Sequence, residues 1–321
     1  SDSLIERETA GTTYTEFKIK DALKQLEIPL QDDLFPASET SDTGSGTNTY
    51  YALEGQPRPI SLGRPFSVKP VLAKRSNNEY HILDEQANAI STVYDNGVSV
   101  SHTDYVKGFT LSTDPVGIIV ADVRGPDVGA TTNIRKIDDL VDWVMDKHSI
   151  TNFSASDLTT IDTDKNYSYL YYQDNLQNNT VAQVLKYWLD SCLGWFYADS
   201  DGDIRFGYLQ EPAVSADVEI SQYDVVGGLE PFDDTAPNIT NQLGGNRNFY
   251  VYNSDDIASG ATTQDKIDLA QKYRYIYTGA STLDPFYQAQ PEPFDTYLQG
   301  NTYVESEADD LTSLYSQKRK F

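Results

Sequence analysis

Cysteine is nearly missing: Cys192 stands alone among 321 residues. A single thiol cannot close a disulfide within the chain, which excludes a disulfide-built secreted scaffold. Cys192 follows a strongly amphipathic stretch and reads as a small core residue rather than a nucleophile. Methionine also occurs once. No apolar run approaches the roughly 18 residues of a membrane-spanning helix, and no signal-peptide pattern is visible. The chain begins with Ser1 rather than Met, so its true start is expected further upstream. Basic residues are scarce as well: 24 Lys and Arg face 49 Asp and Glu, a net charge of −25. That balance argues against a nucleic-acid surface, which needs clustered Lys and Arg, and against anionic membranes. A solvated acidic exterior is the plainest reading, and it suits a saline medium. There is no Gly-x-x-x-x-Gly-Lys-Ser/Thr loop, no Gly-x-Gly-x-x-Gly after a strand and no Gly-x-Ser-x-Gly elbow, so nucleotide binding and an elbow-borne serine nucleophile have no support. No repeat of solenoid or propeller period is present.

What is abundant is tyrosine, 23 residues beside 12 Phe and 3 Trp, in a background of Thr, Ser, Asp and Asn that suits β-rich surfaces and interfaces. Residues 49–125 organise the chain as a series of short strands cut by turns. Its clearest signal is Val93-Tyr94, Asp95-Asn96-Gly97, Val98-Ser99-Val100, because Asn-Gly between β-formers suits a turn needing positive φ. Upstream, Thr13–Ile19 alternates like a strand, Asp21 can cap a short helix through Leu26, Ile28–Pro36 is extended, and Ser38–Asn48 reads as a mobile loop. Downstream, Asp138 or Asp139 is expected to open a helix with Ile137, Leu140, Val141, Val144 and Met145 inward, ending near His148. Ser154 caps a second, short helix, and Tyr167–Tyr172 is an aromatic strand. The strongest helix starts at Thr180 with Gln183 as its capping-box partner, and Val181, Val184, Leu185, Trp188 and Leu189 form its apolar face. A hairpin 195–209 follows, turning at Asp199–Asp203. Pro237–Leu243 and Asn246–Tyr252 suggest another hairpin, turning at Gly244-Gly245. Thr263–Tyr273 is a weak helix, residues 280–300 look irregular, and Ser306 or Glu307 opens a last helix through Ala308, Leu311, Leu314 and Tyr315.

Several of these pieces, in this order, resemble a segment of the tail-tip and baseplate proteins of long-tailed bacteriophages. The resemblance rests on Gly55-Gln-Pro57-Arg-Pro59 to Gly63, Val68-Lys-Pro70-Val-Leu72, Tyr80-His-Ile82, Val93-Tyr-Asp-Asn-Gly97 and Ala121-Asp-Val-Arg-Gly125. The later order of helix, aromatic strand, Asp-Gly turn, strand and Leu209-x-x-Pro212 is similar too. Pro29-Leu-Gln31 and the run Asn246–Tyr252 fit the group loosely. In that group a helix like the last one leads into further strands, so the resemblance implies a fragment of a longer polypeptide.

Four constellations are candidates for chemistry. Asp199-Ser-Asp201-Gly-Asp203 can be read as a calcium loop, but its Gly comes one residue early for an EF-hand, and Asp with Gly is also what a tight turn demands. His81, His102 and His148 are placed in a strand, near a turn and at a helix C-terminus; with no i, i+4 pair and one Cys they speak against zinc. The pairs Asp32-Asp33, Asp138-Asp139, Asp233-Asp234, Asp255-Asp256 and Asp309-Asp310 could supply the two carboxyls that glycosidases use, yet most look like turn or helix-start residues. Tyr167, Tyr169, Tyr171 and Tyr172, with Trp188, Trp195, Phe196 and Tyr197, offer sugar-stacking faces, Trp188 excepted as core.

The sequence therefore predicts an α+β, mostly β chain of several small modules: 1–48, the end of an upstream module plus a loop; 49–125, the hairpin module; 126–212, with a helix over 180–191; and 213–321, β-rich and incomplete. The resemblance implies a virion structural protein at the distal end of the tail, a hub of three copies or, second, a six-fold ring, contacting other tail proteins. From the residues, no enzyme, no cofactor, no metal, no nucleic acid and no membrane span are expected. The rival expectations are a host-glycan-binding protein, with Tyr169 or Tyr171 as the platform, and a glycan-cleaving enzyme. No residue stands out as catalytic; Gly55, Gly63 and Gly97 stand out as backbone-determining turn positions.

Overall fold

Helices form where apolar residues recur on one face, in several cases behind a side-chain cap. The structure, a computed structural model, describes residues 22–35, 53–75, 77–84, 89–128, 132–133, 135–210, 242–279 and 294–316. Its α-helices are α1 (Ile137–Lys147), α2 (Ala155–Lys165), α3 (Val181–Asp190), α4 (Thr263–Leu269) and α5 (Asn301–Ser316). In α3 the Thr180 hydroxyl accepts from the Gln183 N–H at 3.3 Å and the Gln183 side chain accepts from the Thr180 N–H at 2.9 Å, satisfying two otherwise orphaned donors. Its five expected apolar residues are all buried, as are the five of α1. The N-cap of α1 is Lys136, without a side-chain cap, so Asp138 and Asp139 sit inside the first turn instead of opening it. There their negative charge favours the helix N-terminus. α2 starts at Ser154 as expected but runs for 11 residues before Asn166 ends it in the left-handed conformation. α5 begins at Asn301, ahead of Ser306 and Glu307, because Val304 is drawn into the core. Residues Ala22–Leu26 form a 3₁₀ turn.

The described strands form small antiparallel sheets. One has four strands in the order Val71–Lys74, Glu79–His81, Gly108–Leu111, His102–Tyr105. Another has three, Val98–Val100, Ala89–Asp95 and Ile119–Arg124. Asn96 and Gly97 make the two-residue turn in the latter with φ of 47° and 79°, the doubly positive geometry a tight hairpin requires. The chain is thus α+β and mostly β, in several small β modules. His102 is the first residue of a strand.

The expected Gly244-Gly245 turn is not one. Gln242–Arg247 is a continuous strand paired with Tyr273–Thr278. Glycine is needed here for close packing: a Cβ on Gly244 would lie 2.4 Å from the Tyr273 ring, and one on Gly245 2.2 Å from a Val304 methyl. Tyr273 accordingly belongs to a strand, and α4 stops at Leu269. Leu298–Gln299 is a short strand within a stretch expected to be irregular. The Thr13–Ile19 strand, the 38–48 loop and Asp233-Asp234 lie outside the described residues.

The largest core cluster draws on all four expected segments. It joins Leu26 and Leu30, Ile60 and Leu62, Trp188 with the faces of α1 and α3, and Leu243, Leu298, Val304 and Ala308. Strand pairing crosses the same boundaries: Ile60–Leu62 pairs with Tyr171–Gln173, and Ser168–Tyr169 with Leu298–Gln299. A second cluster, including Val68, Ile82, Val93 and Phe109, fills the space between the two larger sheets.

Candidate functional site

The sequence candidates disperse over the fold. Asp199–Asp203 closes the hairpin between Gly194–Ala198 and Ile204–Tyr208. The Asp199 carboxylate accepts from the Asp201 and Asp203 N–H groups, both at 3.0 Å, so it staples the turn from within. Gly202, with φ of 84°, supplies the left-handed position. Among the described residues no group of three or more His, Cys, Asp or Glu is arranged to hold a metal ion.

The histidines are structural partners. His81 is buried, its Nδ1 3.1 Å from the Arg58 guanidinium and its Nε2 3.4 Å from Glu79. Arg58 can only donate, so Nδ1 accepts and the proton sits on Nε2, aimed at Glu79. Burial acts to raise the Glu79 pKa, but hydrogen bonds from Asn77 and Lys74 overcome it and hold the carboxyl below its ordinary range. The His102 Nε2 lies 3.3 Å from the Ile90 carbonyl and 3.1 Å from the Asp104 carboxylate. His148 caps α1, bonds the Leu30 carbonyl at 3.2 Å, and burial lowers its pKa.

The carboxylate pairs serve as counterions or helix starts. Lys147, at the end of α1, gathers Asp32 (2.8 Å), Asp33 (3.4 Å) and the buried Asp84 (3.0 Å). Burial opposes its charge, but Asp84 and Asp32 outweigh that and raise its pKa. Asp138 and Asp139 lie side by side in α1, and burial, then Asp138, raises the Asp139 pKa. Asp256 bonds Asn253 in a 3₁₀ turn.

The aromatic expectation is corrected. Tyr169 and Tyr171 are 0% and 1% exposed and pack in the main core, so neither can meet a sugar. Packing in the main core, for Tyr171 edge-on against Trp188, buries what reads as an open alternating face. The open aromatics are Trp195 (46%) and Tyr197 (49%), side by side on one face of the hairpin. The Trp195 indole lies across Gly207, where a Cβ would come within 2.9 Å of the ring. Cys192 is buried, and burial pushes its thiol up to about 12, far from a nucleophile's range.

One polar cluster has no counterpart in the sequence pattern. Lys165, at the end of α2, reaches Glu307 and Asp310 of α5, each at 2.9 Å. Burial acts to lower the Lys165 pKa, but the two carboxylates hold it above its ordinary value; burial raises that of Glu307. Tyr167 and Tyr208 flank the ammonium, and Tyr208 donates to Asp164 at 2.5 Å. Asp164, Lys165, Tyr208, Leu209 and Asp310 line a cavity of about 350 Å³. Lys165 and Glu307 are 142 positions apart, and no spacing rule connects them. Similarly, Asp122 of the Ala121–Gly125 run makes a two-pronged ion pair with Arg274, both arms 2.7 Å, and accepts from the Ser67 N–H at 2.8 Å.

No protein-family profile, curated protein or solved structure matches the chain.

Proposed function

We propose that this chain is a structural component of the tail tip or baseplate of a long-tailed bacteriophage, assembling with copies of itself and with other tail proteins at the distal end of the tail tube. The supporting observation is what the residues of the resemblance do. Gly55, Gly63 and Gly97 all take positive φ, and Asp122 clamps Arg274 across 152 positions of sequence. These residues set backbone paths and join distant segments, which is scaffold work. Closed rings of identical subunits suit a tube end, a trimer first and a six-fold ring second. Immunogold labelling of phage particles with an antibody to this chain tests the reading. Label at the distal tail end is expected; label elsewhere on the particle, or none, rejects it. Native mass spectrometry of the purified chain tests self-association, for which a monomer at tens of micromolar would count against the hub.

A second reading, binding of a host-surface glycan, gains from Trp195 and Tyr197. An indole resting on a glycine presents one flat face to solvent, as sugar stacking requires. Replacing Trp195 by Ala should abolish retention on host polysaccharide while leaving assembly intact; unchanged retention removes this reading.

A further inference from the structure

Three arginines from separate segments are tied together around Gly63. The Val123 N–H donates to Pro65 O at 3.0 Å and the Gly125 N–H to Gly63 O at 2.8 Å. These bonds lay residues 63–65 antiparallel to 123–125 and set Arg64 directly opposite Arg124. That pair is the non-hydrogen-bonded kind, in which side chains come closest. Arg135 enters the same knot, because its carbonyl accepts from the Tyr169 N–H at 2.7 Å. The Tyr169 carbonyl in turn abuts Gly63, where a Cβ would sit 2.0 Å from it. The backbone therefore holds all three positions in place.

The electrostatics of this knot are unlike the rest of the molecule. Acids outnumber bases 49 to 24, and Lys147, Lys165, Arg247 and Arg274 each have a carboxylate within 3.0 Å. Among the described residues neither Arg64 nor Arg135 has an ion pair. The Arg64 Nε is buried without a hydrogen-bond partner. Burial, and then the charges of Arg124 and Arg135, lower the Arg64 pKa. Like charges opposite one another on paired strands are destabilising, and a buried guanidinium donor without an acceptor adds to the cost. An external anion offsets the like-charge cost.

We propose that Arg64, Arg124 and Arg135 form a binding site for a tetrahedral oxyanion of the phosphate or sulfate class. Three guanidiniums carry more charge than one carboxylate can balance, and their planar donor forks match the several oxygens of such an anion. A single local cluster in an acidic chain is a one-anion site, not a track for a nucleic-acid backbone.

The test is thermal unfolding and calorimetric titration of the full chain with inorganic phosphate, against chloride and acetate at equal ionic strength and pH. The wild type should gain stability saturably with one phosphate per chain, and neither chloride nor acetate should reproduce it. Arg64→Gln with Arg135→Gln should abolish the gain, while Lys24→Gln with Lys186→Gln, the same charge change at two exposed ion pairs, should keep it. Arg135→Gln alone should weaken phosphate binding at least tenfold, a measurement that stands even if the double variant does not fold. Methyl phosphate distinguishes the source: binding equal to phosphate indicates a phosphoryl group on a larger molecule, and failure to bind indicates the free ion. A gain that is unsaturable, matched by acetate, or unchanged in Arg135→Gln overturns the site.

Discussion

The Lys165 and Arg64 centres solve opposite problems. Around Lys165 two carboxylates converge on one buried ammonium, and the cluster locks α2 to α5. Around Arg64 three cations converge, held by backbone bonds that do not respond to their charge. The first centre carries both signs of charge within the chain. The second gathers cations, and under the proposed site its counterion would come from outside. In a chain this acidic, pairing a cation needs no special arrangement, so Arg64 and Arg135, without an ion pair among the described residues, carry the more specific information.

Removing Lys165 should give the largest effect. Lys165→Met strands Glu307, which is 2% exposed, and should cost about 3–5 kcal/mol in denaturant unfolding. Lys165→Met with Glu307→Leu should recover most of that loss; no recovery would mean the cluster is not a closed charge balance. Asp122→Asn comes next, since it leaves Arg274 without its two-pronged partner. A loss of about 1.5–3 kcal/mol is expected from the same measurement.

A smaller effect, dependent on pH, is expected at Asp157. Hydrogen bonds from Arg205 lead the causes that hold its carboxyl below its ordinary value. The folded-state pKa thus lies below the unfolded one, so the stabilisation is present in full above the unfolded value, near 4, and fades as pH falls through the folded value. Melting curves from pH 3 to 7 should separate wild type from Asp157→Asn above that range and bring them together below it. A gap constant with pH would reject the assignment. Arg64→Gln should have the smallest effect and the opposite sign. In chloride it relieves a like-charge pair, a gain of about 0.2–1 kcal/mol, whereas in phosphate it should become a loss.

Legibility follows the range of the interaction. The Thr180–Gln183 capping box, the α1 and α3 faces and the Asn96-Gly97 turn are local, determined by residues within a few positions of each other. The Gly244-Gly245 error has a distant cause: the glycines accommodate Tyr273 and Val304, and the sequence around them only records that no side chain fits. The Tyr169 and Tyr171 error is of the same kind, because alternation reveals two faces of a strand but not whether both will be covered. Of the polar clusters, the sequence suggested the Asp199–Asp203 turn, whose bonds span at most four residues, and gave no sign of Lys165–Glu307 or of the three arginines.

By itself the sequence determined the helix faces, the tight turns, the acidic balance and the α+β class, since each depends on neighbours along the chain or on composition. Only the tertiary structure decided which aromatics are buried, which carboxylates neutralise which cations, and which cations are left facing one another. Those outcomes depend on segments far apart in sequence, whose meeting is set by packing of the shared core.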